Sequence, residues 1–467
     1  MADSKLSRSI SSAGTTTKGT YSCWVKRSRL TEGFLFLSQE NGNNNFRIRF
    51  NSLNLQAEVL QGGSVTGTLS TTRLFRDTSN WYHIVVAIDS TLATANDRMK
   101  IYVNGTQESS FSARTNPSQN ANMSINEAGT QYVGAQESSN YLDGYLSHVH
   151  YIDGTAYAAS TFGETDSTSG IWKPKTAPSV TYGTNGFFLK FENSAAMGTD
   201  SSGSSNNLTP AGNLKQTVDS PSNNFPTLDR ADRHVQDNNS ADGHLTFGNT
   251  TLNTVGTNAL KLWFKSSIGV TKGKWYWEMK RTTNSSFLIG LCYQDYFYSA
   301  THTAHWDQDA YLACSFQEKG NGNFEWAGKS GDGGVSDTSI SASAGTILGF
   351  ALDMDNYALY AHHNGTYFAV GGVTGVPTSG ASKTGSLLGS FTSGGAAYVN
   401  SGEPVFPFAG DHTTGASTRV DANFGNGFFG TTAVASANAD ANGLGAFEYA
   451  VPSGYYALNT KNLKEFG

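Results

Sequence analysis

The 467-residue chain is short of charge. Asp, Glu, Lys and Arg make up 15% of it, against about 25% in an average soluble domain, so its surface must be built from something other than ion pairs. No run of Lys or Arg occurs, and the net charge is −6 with a pI near 5.9, which argues against a nucleic-acid partner for the bulk surface. The three cysteines, Cys23, Cys292 and Cys314, have no paired spacing and sit inside apolar or aromatic runs. They are expected to be reduced core residues, without a disulfide or zinc framework. No uninterrupted apolar stretch reaches membrane length, and Met1 to Ile10 lacks the apolar centre of a secretion signal, so neither membrane insertion nor export is expected. Sustained helical periodicity is also missing. Only short helical turns near Ala156 to Phe162 are expected.

What fills the space is Gly (52 residues), Ser, Thr and Asn, with aromatics at 12%. These residues favour turns and sheet faces over helix interiors. One arrangement is written twice. Trp81 to Asp89, then Arg98 to Val103, then Asn104-Gly105-Thr106 is repeated as Gly345 to Asp353, Tyr357 to Tyr360, and Asn364-Gly365-Thr366. Asn-Gly supplies the two positive φ angles of a type I′ turn. Asn45 to Phe50 alternates, with Phe46, Ile48 and Phe50 on one face and Arg47 and Arg49 on the other. The expectation is an all-β chain with two antiparallel β-sandwich domains in tandem. A flexible segment at 1–20 precedes a first domain at 21–195. A Ser/Asn/Gly/Pro-rich linker follows at 196–240, then a second domain at 241–430 and a tail at 431–467 that packs on the second domain or on a partner.

The succession Trp24, Trp81 to Asp89, Ile101 to Thr106 and Asp143 to Asp153 resembles a laminin-G-like, concanavalin-type jelly roll. Gly273-Lys-Trp-Tyr-Trp-Glu278, Ile289 to Leu291, Gly349 to Asn356, Tyr360, Asn364-Gly365 and Asn423-Phe424-Gly425 resemble a SPRY (B30.2-like) domain, with a long Gly/Ser-rich insert at Gly371 to Tyr398. The two together, with Asp219 to Phe225 between them and Tyr456 to Leu463 at the end, resemble bacteriophage virion structural proteins, especially of marine phages. That resemblance implies a virion appendage or fibre component, synthesised in the host cytoplasm, that contacts other virion proteins or a host-surface glycan or protein. Homo-oligomerisation, with a trimer favoured, goes with such assemblies. A capsid decoration protein and a polysaccharide-degrading enzyme on the same scaffold are the alternatives.

Local patterns for chemistry are sparse, and no enzyme is expected. Gly425-Asn-Gly427-Phe-Phe-Gly430 has dinucleotide-binding spacing but lacks a following helix. The glucanase pattern Glu-x-Asp-x-x-Glu begins at Glu164 and Asp166 and fails at Ser169. Asp353 and Asp355 sit at a tight turn, where Asp caps its own backbone. His148 and His150 are expected to alternate on one face without a third metal ligand. No cofactor is expected apart from calcium, which jelly rolls of the laminin-G type carry on a rim loop. Asp200 and Asp89 are its oxygen-rich candidates. For ligand or partner binding, the candidates are His305, Trp306, Asp307, Asp309 and Tyr311, an aromatic plate with carboxylates and imidazole on one loop.

Overall fold

The computed structural model describes residues 4–167, 170–235, 244–254, 262–283, 287–293, 312–318, 323–327, 335–341, 343–387, 404–411 and 418–467. The chain divides into two compact units. Unit 1 is Met1–Gln216 with Ser220–Ser222, and unit 2 is Thr217–Asp219 with Asn223–Gly467.

Unit 1 is built from β1 (Lys5–Ile10), β2 (Lys18–Arg27), β3 (Gly33–Asn41), β4 (Asn44–Asn51), β5 (Asn54–Gln61), β6 (Ser64–Leu74), β7 (Tyr82–Asp89) and β8 (Met99–Val103). These are followed by β9 (Thr106–Gln107), β10 (Phe111–Thr115), β11 (Gly129–Val133), β12 (Gly144–Asp153), β13 (Gly163–Thr165), β14 (Trp172–Pro174), β15 (Phe187–Leu189) and β16 (Thr209–Ala211). An eight-stranded sheet runs β10-β6-β5-β4-β3-β11-β1-β16 and a six-stranded sheet runs β15-β12-β2-β7-β8-β9. Their inner faces form one core. The alternation read in β4 holds: Phe46, Ile48 and Phe50 are buried in that core, while Arg47 and Arg49 lie outside it.

Two stretches differ from their sequence reading. The N-terminal segment, read as flexible, is β1, which pairs with β11 and β16. Its polar composition hid it because both partners lie more than a hundred residues away. The linker read at 196–240 begins inside unit 1, where Thr209–Ala211 closes the sheet edge and Leu208 is in the core.

Unit 2 pairs a seven-stranded sheet with a second sheet that contains Lys274–Arg281, Ile347–Asp353, Ala358–His363 and Arg419–Asn423. Trp275, Trp277, Phe350, Leu352 and Phe424 are buried between them. The C-terminal residues belong to this unit. Tyr456–Ala457 pairs parallel with Trp275 and Tyr276, and Thr460–Phe466 is a short helix capped by the Asn459 side chain, which accepts from Asn462 N at 2.9 Å. Cys23 and Cys292 are buried free thiols. The Cys314 side chain lies outside the described residues.

Both Asn-Gly turns have the expected backbone, with φ of 48° and 84° at Asn104-Gly105 and 46° and 89° at Asn364-Gly365. Each asparagine also does something the turn rule does not require. Asn104 donates its N–H to His83 O (2.9 Å) and accepts His83 N–H on Oδ1 (2.8 Å). Asn364 does the same with Ile347, at 2.9 Å in both directions. The residue that reverses the hairpin therefore also closes the end of the next strand. Asn104→Gly should keep the turn, lose the acceptor and cost about 1 kcal/mol. Asn104→Ala should cost about 1 kcal/mol more than the glycine variant, because alanine keeps a Cβ at this positive φ without asparagine's tolerance of it. Urea unfolding of the full chain measures both, and equal stability of the two variants would refute the backbone part of this account.

Candidate functional site

The loop carrying His305, Trp306, Asp307, Asp309 and Tyr311 lies outside the described residues. The calcium candidates are described. Asp200 Oδ1 accepts the N–H groups of Phe188 and Ser202 (2.8 Å each), and Oδ2 accepts Ser202 Oγ (2.8 Å) and Asn206 N (2.7 Å). Asp89 Oδ1 accepts Thr91 N (3.0 Å) and Thr91 Oγ1 (2.5 Å), and its Oδ2 is 3.3 Å from Lys18 Nζ. These oxygens face donors, whereas calcium needs six or more open oxygens, and the residues present do not fit the ion. Among the described residues no group of three or more His, Cys, Asp or Glu is placed to hold a metal. Beside Asp89, whose N–H donates to Arg98 O (2.9 Å), a guanidinium gathers the carbonyls. Arg98 donates to Leu92 O (2.8 Å), Ala93 O (2.9 Å) and Pro117 O (2.8 Å).

The alternation expected through His148 and His150 is broken by a bulge. Ser147 pairs with Trp24 and His150 with Ser22, and His148 has φ of 48°. Val149 enters the core, the His150 ring stacks 3.9 Å from Phe188 and bonds Tyr182 OH (2.9 Å), and His148 Nδ1 meets Ser147 Oγ (2.7 Å).

A serine–histidine contact that sequence reasoning missed lies on the outer face of the six-stranded sheet. His83 Nδ1 accepts Trp172 Nε1–H (3.0 Å), so the neutral ring carries its proton on Nε2 and donates it to Ser22 Oγ (3.0 Å). Burial, helped by His148, pulls His83 down to about 3, so the ring stays neutral. An activated serine needs the opposite polarity, with imidazole accepting.

Unit 2 holds the most catalytic-looking constellation. Glu278, Gly349 and His362 stand opposite one another on three adjacent strands. Gly349 is required there, since a Cβ would lie 2.0 Å from His362 Nε2. Gly365 N–H donates to His362 Nδ1 (3.1 Å), so Nε2–H donates to Tyr276 OH (2.7 Å) and the phenol donates to Glu278 Oε1 (3.1 Å). Glu278 also accepts Asn423 Nδ2 (3.2 Å) and the N–H groups of Glu448 (2.9 Å) and Tyr449 (2.8 Å). Burial pushes this carboxyl up to about 7 although its donors pull it down, and burial lowers His362 to about 4. With every donor directed inward, the relay fastens the 446–449 segment to the sheet.

One polar surface is not consumed in this way. On the outer face of the eight-stranded sheet, register aligns Ser7, Tyr132, Leu37, Arg47, Glu58, Thr68 and Thr115 across seven strands. A neighbouring row is Phe34, Arg49, Gln56, Ser70 and Ala113. Arg47 Nε bonds Glu58 Oε2 at 2.5 Å, and Arg49 reaches Glu32 Oε1 (2.6 Å) and Gln56 Oε1 (2.9 Å). Both carboxylates are thus held by guanidinium groups as acceptors, which is not the posture of a proton donor to a leaving group.

The comparisons concern fold. Residues 4–160 match the laminin G profile described as "Concanavalin A-like lectin/glucanases superfamily". Among solved structures, the chain is similar to the SPRY domain of human HERC1, at 15% identity over 37% of this chain and 87% of that one, with a TM-score of 0.24. It is also similar to native heptameric SAP-like pentraxin from Limulus polyphemus, at 17% identity over 33% and 71% of the two chains and a TM-score of 0.26. Domains LG4-5 of the mouse laminin alpha1 chain match at 8% identity over 97% and 94%, with a TM-score of 0.29. No curated protein matches the sequence. The chain is an all-β protein with a concanavalin-like first unit.

Two measurements test this site. Chelation with EDTA should leave the melting temperature of the full chain unchanged, while Arg98→Ala should cost roughly 2–3 kcal/mol; a large loss on chelation would restore the metal. For Glu278, the native state keeps a proton between pH 4.5 and about 7 that the unfolded chain releases at 4.5. Its contribution to stability therefore falls as pH rises through that window. The stability margin of the wild type over Glu278→Gln should shrink from pH 4.5 to 7 and then level off, as read from denaturation midpoints in a pH series. A margin that grows with pH would contradict the burial-driven shift.

Proposed function

We propose that this protein is a non-enzymatic structural and adhesion component of a bacteriophage virion, a fibre, knob or tip part. Its two sandwich units would contact other virion proteins or a host-surface glycan or protein. The observation that carries the reading is how the titratable groups are used. The carboxylates of Asp200, Asp89 and Glu278 and the imidazoles of His83 and His362 all hold the chain's own backbone or neighbouring side chains, while a broad polar sheet face is left outside. The laminin G match over residues 4–160 and the resemblance of the whole succession to phage structural proteins support the same reading. Rigid sandwiches present contact groups at little ordering cost, and a trimeric assembly repeated on a particle would add avidity to weak single contacts. In this reading the chain is made in the host cytoplasm and incorporated into the virion, with no nucleic acid bound and no membrane crossed.

Purified protein added to host cells before phage should reduce adsorption, and a labelled antibody should decorate the appendage rather than the capsid shell. Label confined to the shell would favour a decoration protein. Depolymerisation of host polysaccharide by the purified chain would overturn the non-enzymatic assignment.

A further inference from the structure

Within unit 2, the stretch 438–467 is an arm with a structure of its own, laid against the sandwich body. One carboxylate organises it. Asp440 Oδ1 accepts the N–H groups of Asn442 and Leu444 (2.9 Å each), and Oδ2 accepts Ala457 N (2.9 Å) and Asn462 Nδ2 (2.7 Å). Asn438 and Phe447 exchange two backbone bonds of 2.8 Å, and the Asn459 cap starts the helix. The turn, strand and helix of the arm are therefore tied to one another without help from the body.

The arm fills a gap in the sheet. On the side of Lys274–Arg281 away from Ile347–Asp353, residues 278–281 pair with 420–423, whereas Trp275 and Tyr276 have Tyr456 and Ala457 of the arm as neighbours. On the outer face, Tyr276, Ala351 and Tyr360 pack against Phe447, Tyr455 and Ala457. Tyr455 OH donates to Pro377 O (2.9 Å), Asn224 and Thr460 exchange two bonds of 3.0 Å, and Glu278 takes the Glu448 and Tyr449 N–H groups. These bonds span 78 to 236 residues of chain. The same set forms whether arm and body belong to one copy or to two. A body that gives up its arm uncovers backbone groups of Trp275 and Tyr276 together with an aromatic face, and both demand a replacement.

The connection between body and arm is short and strained. Val434 N still bonds Gly427 O (3.0 Å), and the arm begins at Asn438, leaving Ala435, Ser436 and Ala437 between them, all exposed. Ala435 N donates to Glu448 Oε2 (2.7 Å) as the hinge doubles back. Ala437 has φ of 46°, a left-handed conformation that a residue with an alanine Cβ adopts only at a cost. A hinge that runs straight away from the body lets Ala437 relax to extended backbone. Short hinges under strain promote exchange of the element they carry.

We propose that copies of this chain assemble by exchanging the arm, each body receiving residues 438–467 of a neighbouring copy in the groove that its own arm fills in the closed form. In a trimer each arm passes to the next copy in one direction, and the ring closes with every groove occupied. This rests on the self-assembly proposed above and gives it an interface.

Isotopically heavy and light copies of the full chain, each carrying the photo-crosslinker p-benzoylphenylalanine in place of Tyr449, are refolded together, separated by size exclusion and irradiated. The Tyr449 ring lies 5.0 Å from the His362 ring and 3.0 Å from where a Cβ on Gly365 would stand, so the cross-link joins the arm to the 362–365 turn. Mass spectrometry should find heavy–light pairs in the oligomer and only like pairs in the monomer. Ala437→Gly eases the closed hinge and should lower the association constant roughly fivefold for each arm exchanged. Deleting Ala435 to Ala437 prevents the arm from doubling back and should abolish the monomer in light scattering. A wild type that stays monomeric at every concentration, or an Ala437→Gly variant that associates as strongly as wild type, overturns the proposal. An oligomer that yields only like pairs overturns arm exchange and leaves self-assembly standing. Heavy–light pairs from a protein whose antibody never labels a virion leave arm exchange standing and remove the virion reading.

Discussion

Sandwich folds leave backbone N–H and C=O groups unpaired wherever strands end, and each one buried without a partner costs about as much as a lost hydrogen bond. In this chain that debt is settled by side chains reaching back to the backbone, and the rest of the structure depends on it. Asn104 and Asn364 close strand ends opposite His83 and Ile347. Asp200 and Asp153 collect N–H groups on the rim of unit 1. Arg27 and Arg98 collect carbonyls, and Glu278 and Asp440 tie the C-terminal segment into unit 2. A charged side chain used as a backbone partner is withdrawn from the surface, so of the 15% charged residues in the sequence fewer still are left outside.

The same constraint decides what sequence could and could not say. Hairpins and strand faces were legible because they depend on residues within a few positions: positive φ at Asn-Gly, alternation from Phe46 to Phe50. The Glu278 relay was not. Its parts come from 276–278, 349, 362–365, 423 and 448–449, and only the pairing of three strands brings Glu278 opposite His362. The parity of Tyr276 and Glu278 on one strand was the sole local trace. β1 was illegible for a related reason, since Lys5 and the polar run Ser7-Arg8-Ser9 resemble a loose terminus until β11 and β16 supply partners. In the candidate site, Asp200 and Asp89 look like cation ligands in one dimension because Asp next to Ser, Thr and Gly describes a calcium loop and an Asx-turn equally well. Donor direction separates the two, and direction exists only in the fold.

Perturbed titration is commonly taken as a mark of function, and here it marks burial. His83, His150 and His362 are all depressed with desolvation as the leading cause, and Glu278 is raised for the same reason. A catalytic group needs a perturbed proton affinity together with an unfilled coordination position toward substrate. His83 and His362 have Nδ1 occupied by a donor and Nε2 already donating, and Glu278 has both oxygens occupied.

What distinguishes the Arg47–Glu58 face is that its charged groups hold one another and not the backbone: Arg47 bonds Glu58, and Arg49 bonds Glu32 and Gln56. In a recessed sheet face each side chain is held by cross-strand neighbours about 5 Å away, so contact demands little further loss of side-chain entropy. Mutual neutralisation of the arginines and glutamates leaves this face without a net field to steer a charged partner. A weak, salt-tolerant and geometrically fixed contact gains most from repetition.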